Sequence, residues 1–236
     1  MDHAFRNGLI LDGTRDMKIQ KGLCILVHDG IIADIVPDTA DLDLSGYDVI
    51  DLHGRYILPG LINMHVHLAG NGKPQKKQRD NEKLVKNIMS TSLTRAIAYK
   101  MVAGFAKDEL LGGVTTIRTV GGLADFDTRL RDEIESGAKT GPRILAANQG
   151  ISVPGGHMAG SVAVAAASIP DALRQLEKSK EEKVDLIKLM ITGGVLDAKE
   201  KGVPGEMKMP PEMIREVCSQ AHADGYLVAA HVESPE

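Results

Sequence analysis

The sequence predicts an α/β protein: a (β/α)8 barrel, cut off after its fifth strand, with a small flanking β-domain ahead of it. Three observations carry that expectation. From about residue 57, strand-like apolar runs alternate with helical runs, which means parallel strands joined by helical crossovers. Those strand-like runs are apolar on both faces, as a sheet covered by helices requires. Their polar exceptions (His65, His67, Lys188 and His231) fall late in different strands, where barrel enzymes carry their reactive groups. A doubly wound sheet satisfies the first two observations; the third favours the barrel.

Residues 1–56 are read as the flanking β-domain. Strand-length runs lie at 8–13, 23–30, 31–36 and 48–52, and Asp29-Gly30 has the composition of a tight hairpin turn. His28 and His53 fall in this segment and are read as surface or turn residues. Residues 57–236 hold the first five strand–helix units. The stretch Tyr56 to Gly70 opens them, an apolar run bounded by turn residues. Gly70 to Lys77 is a polar loop, and apolar spacing from Asn81 to about Leu111 predicts one long amphipathic helix ended by Gly112-Gly113. Strands are expected at 114–120, 142–147, 185–192 and 226–232, and helices at 127–136, 169–183 and 211–224. A Gly-rich loop, Ser152 to Gly160, follows the third strand. It matches neither G-x-G-x-x-G nor G-x-x-x-x-G-K-[ST], so nucleotide binding is not expected.

Composition narrows the function classes. A net charge of −4 with no Lys/Arg stripe interleaved with aromatics argues against a nucleic-acid partner. Two cysteines in distant segments, Cys24 and Cys218, give no disulfide framework or Cys-based zinc site, and a reducing compartment is the default. The N-terminus has no signal-peptide pattern, and no apolar run approaches the roughly 20 residues of a membrane span. The expected setting is cytoplasmic, away from membranes, with a small-molecule substrate.

Chemistry is expected at the strand exceptions. In a strand, His65 and His67 project from one face, about 6.6 Å apart, while Met64, Val66 and Leu68 project from the other. Two imidazoles so placed can hold one metal ion. Lys188 interrupts an otherwise apolar strand, where a charged amine is costly. It either reaches an edge or a buried acid, or is kept neutral by burial and nearby cations. A neutral ε-amine can add CO2, and the resulting carbamate is a carboxylate long enough to bridge two metal ions. His231 closes an apolar strand with small residues before it and is a third candidate ligand. His157, flanked by glycines, either contacts substrate or caps its loop. Glu233, two residues past His231 and on the same side, either meets a substrate amine or is an exposed acid.

Together, the segment Leu58 to His67, the strand-borne Lys188 in Ile187 to Gly194, and His231 in Val228 to His231 resemble the metal-dependent amidohydrolase superfamily, above all its Xaa-Pro dipeptidase (prolidase-like) and related carboxypeptidase branch. The segments Gly155-Gly156-His157 and Ile117 to Gly122 are similar to the same branch. The resemblance implies a binuclear centre, usually zinc. His65 and His67 would bind one ion, a carbamylated Lys188 would bridge both and act in catalysis, and His231 would bind the second. Members of the superfamily usually carry Asp where Asn63 stands here, a change outside the ligand set. They also need a histidine on strand 6 and an aspartate on strand 8, beyond Glu236. The expectation is therefore the N-terminal portion of a hydrolase of a peptide-like amide, with an Xaa-Pro dipeptide or N-acyl amino acid as substrate. The C-terminal half of the barrel or a second copy of the chain is the expected partner. The alternatives are a cyclic-amide or ester hydrolase on the same scaffold, and a catalytically incomplete metal-binding segment that needs a partner chain.

Overall fold

In a computed structural model, residues 2–70, 72, 80–194 and 205–233 are described. Most of the polar loop expected at 70–77 lies outside them. The chain divides into two compact units, Met1–Gly60 and Leu61–Glu236.

The first unit is built from β1 (His3–Arg6), β2 (Leu9–Ile10), β3 (Leu23–His28), β4 (Ile31–Pro37), β5 (Asp48–Asp51) and β6 (Tyr56–Ile57). Four of them form a sheet in the order β4-β3-β1-β5, and β2 pairs in parallel with β6. The hairpin expected at Asp29-Gly30 joins β3 to β4. Both turn residues have positive φ, 48° and 78°, which matches the right-handed twist of the strands they connect. The apolar stretch expected to run unbroken from Tyr56 is split. Tyr56 and Ile57 belong to this unit, and Pro59, which lacks a backbone N–H, lies in the gap before the next strand.

The second unit opens with β7 (Leu61–Val66) and continues through α1 (Asn81–Ile88), α2 (Ser92–Leu111), β8 (Val114–Thr119), α3 (Phe126–Glu135), β9 (Arg143–Leu145), β10 (Gly150–Ser152), β11 (Ala163–Ala165), α4 (Ile169–Glu181), β12 (Leu186–Met190), α5 (Pro211–Ala223) and β13 (Leu227–His231). Every ladder in it is parallel: β7-β8-β9 on one side and β11-β10-β12-β13 on the other. The Asp185 N–H donates to the Ala146 carbonyl at 2.7 Å, linking the chain just past β9 to the entry of β12.

The single helix expected at 81–111 is two. Met89 closes α1, and the Thr91 hydroxyl accepts the Thr94 N–H at the start of α2. Ser90, Thr91 and Ser92 favour such local side-chain bonds over continuing a helix, so they outweigh the apolar spacing around them. The strands β10 and β11 were not expected. They are three residues each, on either side of the Gly-rich loop, and too short to show a clear period-2 pattern.

Alternation sorts the strand residues into two faces. On the helix side, Val66, Leu68, Ile117 and Ile144 pack with Val102, Phe126 and Leu130, while Ile187 and Leu189 pack with Leu176, Met213 and Val217. Each fully buried aliphatic side chain there contributes about 1.5–3 kcal/mol. On the opposite face Leu186 meets Val120 and Ala147, with Ala229 packed against them. Lys188 shares that face, two residues on from Leu186.

Candidate metal centre

His65 and His67 stand at the end of β7 with ring centroids 5.3 Å apart and planes inclined at 64°. Two imidazoles bound to one ion at about 2.1 Å with a tetrahedral angle have centroids roughly 5 Å apart, so this pair fits a shared ion. The His67 Nδ1–H donates to the Gly121 carbonyl at 3.0 Å, which leaves Nε2 as the lone pair. Gly121 permits this contact. Its φ is +134°, and a Cβ there would lie 3.2 Å from the imidazole.

His231, at the end of β13, stacks on His157 with centroids 4.0 Å apart and planes within 11°. His231 Nε2 lies 3.3 Å from the Gly193 carbonyl and 3.7 Å from a Glu233 carboxylate oxygen, so an ion at Nε2 would have to displace the Gly193 contact. The Glu233 N–H donates to the Thr192 hydroxyl at 3.0 Å. Thus His65 with His67, and His157 with His231, form two pairs. Among the described residues the one group of three His, Cys, Asp or Glu side chains with all ligand atoms within 4.8 Å is Asp2, His28 and Asp29, in the first unit.

Lys188 is 2 % exposed. Burial first, and the Arg118 guanidinium second, bring its ammonium pKa down to about 8. Its charge in turn helps lower the pKa of His65, His67 and His231, although burial is the leading cause for each. A hydrogen bond to a carbonyl opposes the shift at His67 and His231. The donor set is therefore neutral imidazoles around an amine that sheds its proton unusually easily, which is the chemistry a cation site needs. A cleft of about 890 Å³ beside His65 and His67, lined in part by Leu84, Val85, Ile88, Phe105 and Met158, is of the size that takes small organic ligands.

The Amidohydrolase family profile matches residues 56–236. The chain belongs to the amidohydrolase family. It is similar to imidazolonepropionase of Salmonella paratyphi A, 32% identical over 146 residues, covering 52% of this chain and 36% of that protein. A solved Xaa-Pro dipeptidase with methionine bound in its active site is 26% identical with a TM-score of 0.76, covering 98% of this chain and 57% of the other. A prolidase complexed with N-methylphosphonate-L-proline, 20% identical with a TM-score of 0.80, covers 98% and 56% and shares the fold. This amidohydrolase chain thus spans about half the length of the solved chains it matches, and about a third of the curated relative. Its α/β fold of parallel strands is the family's, over the N-terminal portion of that larger barrel.

Several groups near these histidines or elsewhere in the second unit carried no expectation. The Gly121 and Gly193 carbonyls hold two of the imidazoles. Asn63, noted only as a departure, accepts the His65 N–H on its side-chain oxygen at 3.2 Å. Asp127, just inside α3, is 1 % exposed, and one carboxylate oxygen has no partner among the described residues. Arg118 was the one readable signal: a charge inside a β-branched strand, the same anomaly that singled out Lys188.

Gly194 decides whether the second pair can form. A Cβ there would lie 2.6 Å from the His157 ring and 3.1 Å from His231 Nε2. Relief to ordinary carbon contact requires about 1 Å of movement. Gly194→Ala is therefore expected to part the stack by about that much and to shift the imidazole resonances of both histidines. Unchanged resonances would show that the rings do not depend on this glycine.

Proposed function

We propose that this chain carries the metal-binding portion of a hydrolase that cleaves a peptide-like C–N bond. The dipeptide Xaa-Pro and N-acyl amino acids are the substrates to test first. The observation that carries the reading is Lys188, a buried amine within electrostatic reach of three neutral imidazoles on β7 and β13.

His65 and His67 would hold one divalent ion and His231 a second, both most simply zinc. Lys188 would bridge them after its neutral amine adds CO2, releasing a proton to solvent as the N–C bond of the carbamate forms. When bound, the ions would lower the pKa of water and polarise the scissile carbonyl. Gly121 fixes the His67 tautomer, and the apolar residues beneath Lys188 keep its amine short of water. His157 and Glu233 are proposed to face the substrate, a reading supported by their approach to His231. Completion of the barrel by a C-terminal half or a second copy belongs to the same proposal. So does cytoplasmic location, which fits the observation that among the described residues no helix is long and apolar enough to cross a membrane. The likeness to imidazolonepropionase supports a second reading, hydrolysis of a cyclic amide on the same centre.

Chelation of the active protein should abolish hydrolysis, and adding back two equivalents of zinc should restore it. Full activity with less than one bound equivalent would end the binuclear reading. Relative kcat/KM on Xaa-Pro, N-acyl amino acid and cyclic-amide panels separates the substrate readings.

A further inference from the structure

The ladder between β7 and β8 is irregular where the histidines begin. Asn63 pairs with Ile117, and the next partners are Val66 and Thr119. Three steps on β7 therefore match two on β8, so β7 carries one extra residue in this interval. Such a bulge re-aims the side chains around it and leaves backbone groups outside the ladder. Two of those groups are met by side chains. The His65 N–H goes to the Asn63 side-chain oxygen, and the Met64 carbonyl accepts the Arg118 Nε–H at 2.8 Å. Arg118 lies between Ile117 and Thr119, the two residues of β8 that bracket the bulge. Its planar guanidinium offers a donor at Nε, where lysine has only a methylene.

We propose that Arg118 is a positioning residue: by holding the Met64 carbonyl it locks the bulge of β7 and so aims His65 and His67 at a common ion. The functional part of this rests on reading those two histidines as ligands. Partners one step removed from an ion commonly change metal affinity by roughly 10- to 100-fold when lost.

The test compares the parent with Arg118→Met and Arg118→Lys. Amide hydrogen exchange is followed in the metal-free protein, and zinc affinity is measured by competition with a chromophoric chelator. Arg118→Met, which has no donor at that position, should speed exchange about 10-fold or more across 63–68, leave α4 and β12 unchanged, and weaken zinc by roughly 10- to 100-fold at an unaltered thermal midpoint. Arg118→Lys, without the Nε donor, should behave like the methionine variant and not like the parent. Unchanged exchange in 63–68, unchanged zinc affinity, parent-like behaviour of Arg118→Lys, or loosening spread over all the strands would each overturn the proposal. A parent that binds no zinc overturns the proposed function instead; the exchange arm then still decides whether Arg118 holds the bulge.

Discussion

Replacing Lys188 by methionine is expected to make the metal-free protein more stable and the metal-loaded protein inactive. The side chain is 2 % exposed and its pKa is about 8 against an ordinary 10.5. That gap corresponds to about 3 kcal/mol of destabilisation at neutral pH. The sign follows from proton binding. Between pH 8 and 10.5 the unfolded chain holds the proton and the folded chain has released it, so stability rises with pH through that window. Methionine fills similar space with no charge, so Lys188→Met should remove both the deficit and the rise. In the same variant the proposed bridge is absent, and loss of several kcal/mol of Lewis-acid stabilisation corresponds to at least about a 10³-fold fall in kcat/KM. Urea unfolding at pH 7 and pH 10.5, with steady-state kinetics, measures both. A variant that is less stable than the parent at pH 7 would mean that Lys188 has a partner that offsets its burial.

Asp127→Asn should give the second large effect. Burial raises this carboxyl to about 6, opposed by a hydrogen bond from Thr119. Because the folded pKa lies above the unfolded 3.8, the group's contribution is fully present below pH 3.8 and is lost as pH rises through 6. At pH 7.5 the folded protein carries an ionised carboxylate, one oxygen of which has no partner among the described residues, at a cost of about 3 kcal/mol. The amide has the same shape without the charge. It should be near neutral at pH 4 and stabilising by about 2–3 kcal/mol at pH 7.5. Urea midpoints at the two pH values decide it; equal effects at both would refute a charge-based cost.

The sequence was informative wherever a residue contradicted its surroundings. Lys188 amid leucines and isoleucines, and His65 and His67 closing an apolar run, announce themselves because burial of polar groups demands a reason. Asp29-Gly30 was readable because its turn type restricts residue choice. The break at Met89 to Thr91 was not, since apolar spacing continued through it and the deciding force is a side-chain cap. Neither were the carbonyls of Gly121 and Gly193, because backbone atoms leave no mark on residue identity. The bulge in β7 depends on a register between strands about 50 residues apart, which single-strand periodicity does not encode.

The strands β10 and β11 run in parallel without a helix between them, so the ten residues that connect them are clamped at both ends. The Ala166 N–H returns to the Ser152 carbonyl at 2.8 Å, and the Ser152 hydroxyl donates to the His157 carbonyl at 2.9 Å. His157 rides on this closed loop, while Lys188 and the imidazoles of β7 and β13 sit on the parallel strands themselves. On the proposed reading, selectivity would thereby be detachable from chemistry: a library confined to positions 154–160 would change what the loop admits while the strands that carry Lys188 and the imidazoles keep their pairing, an arrangement suited to grafting new specificities.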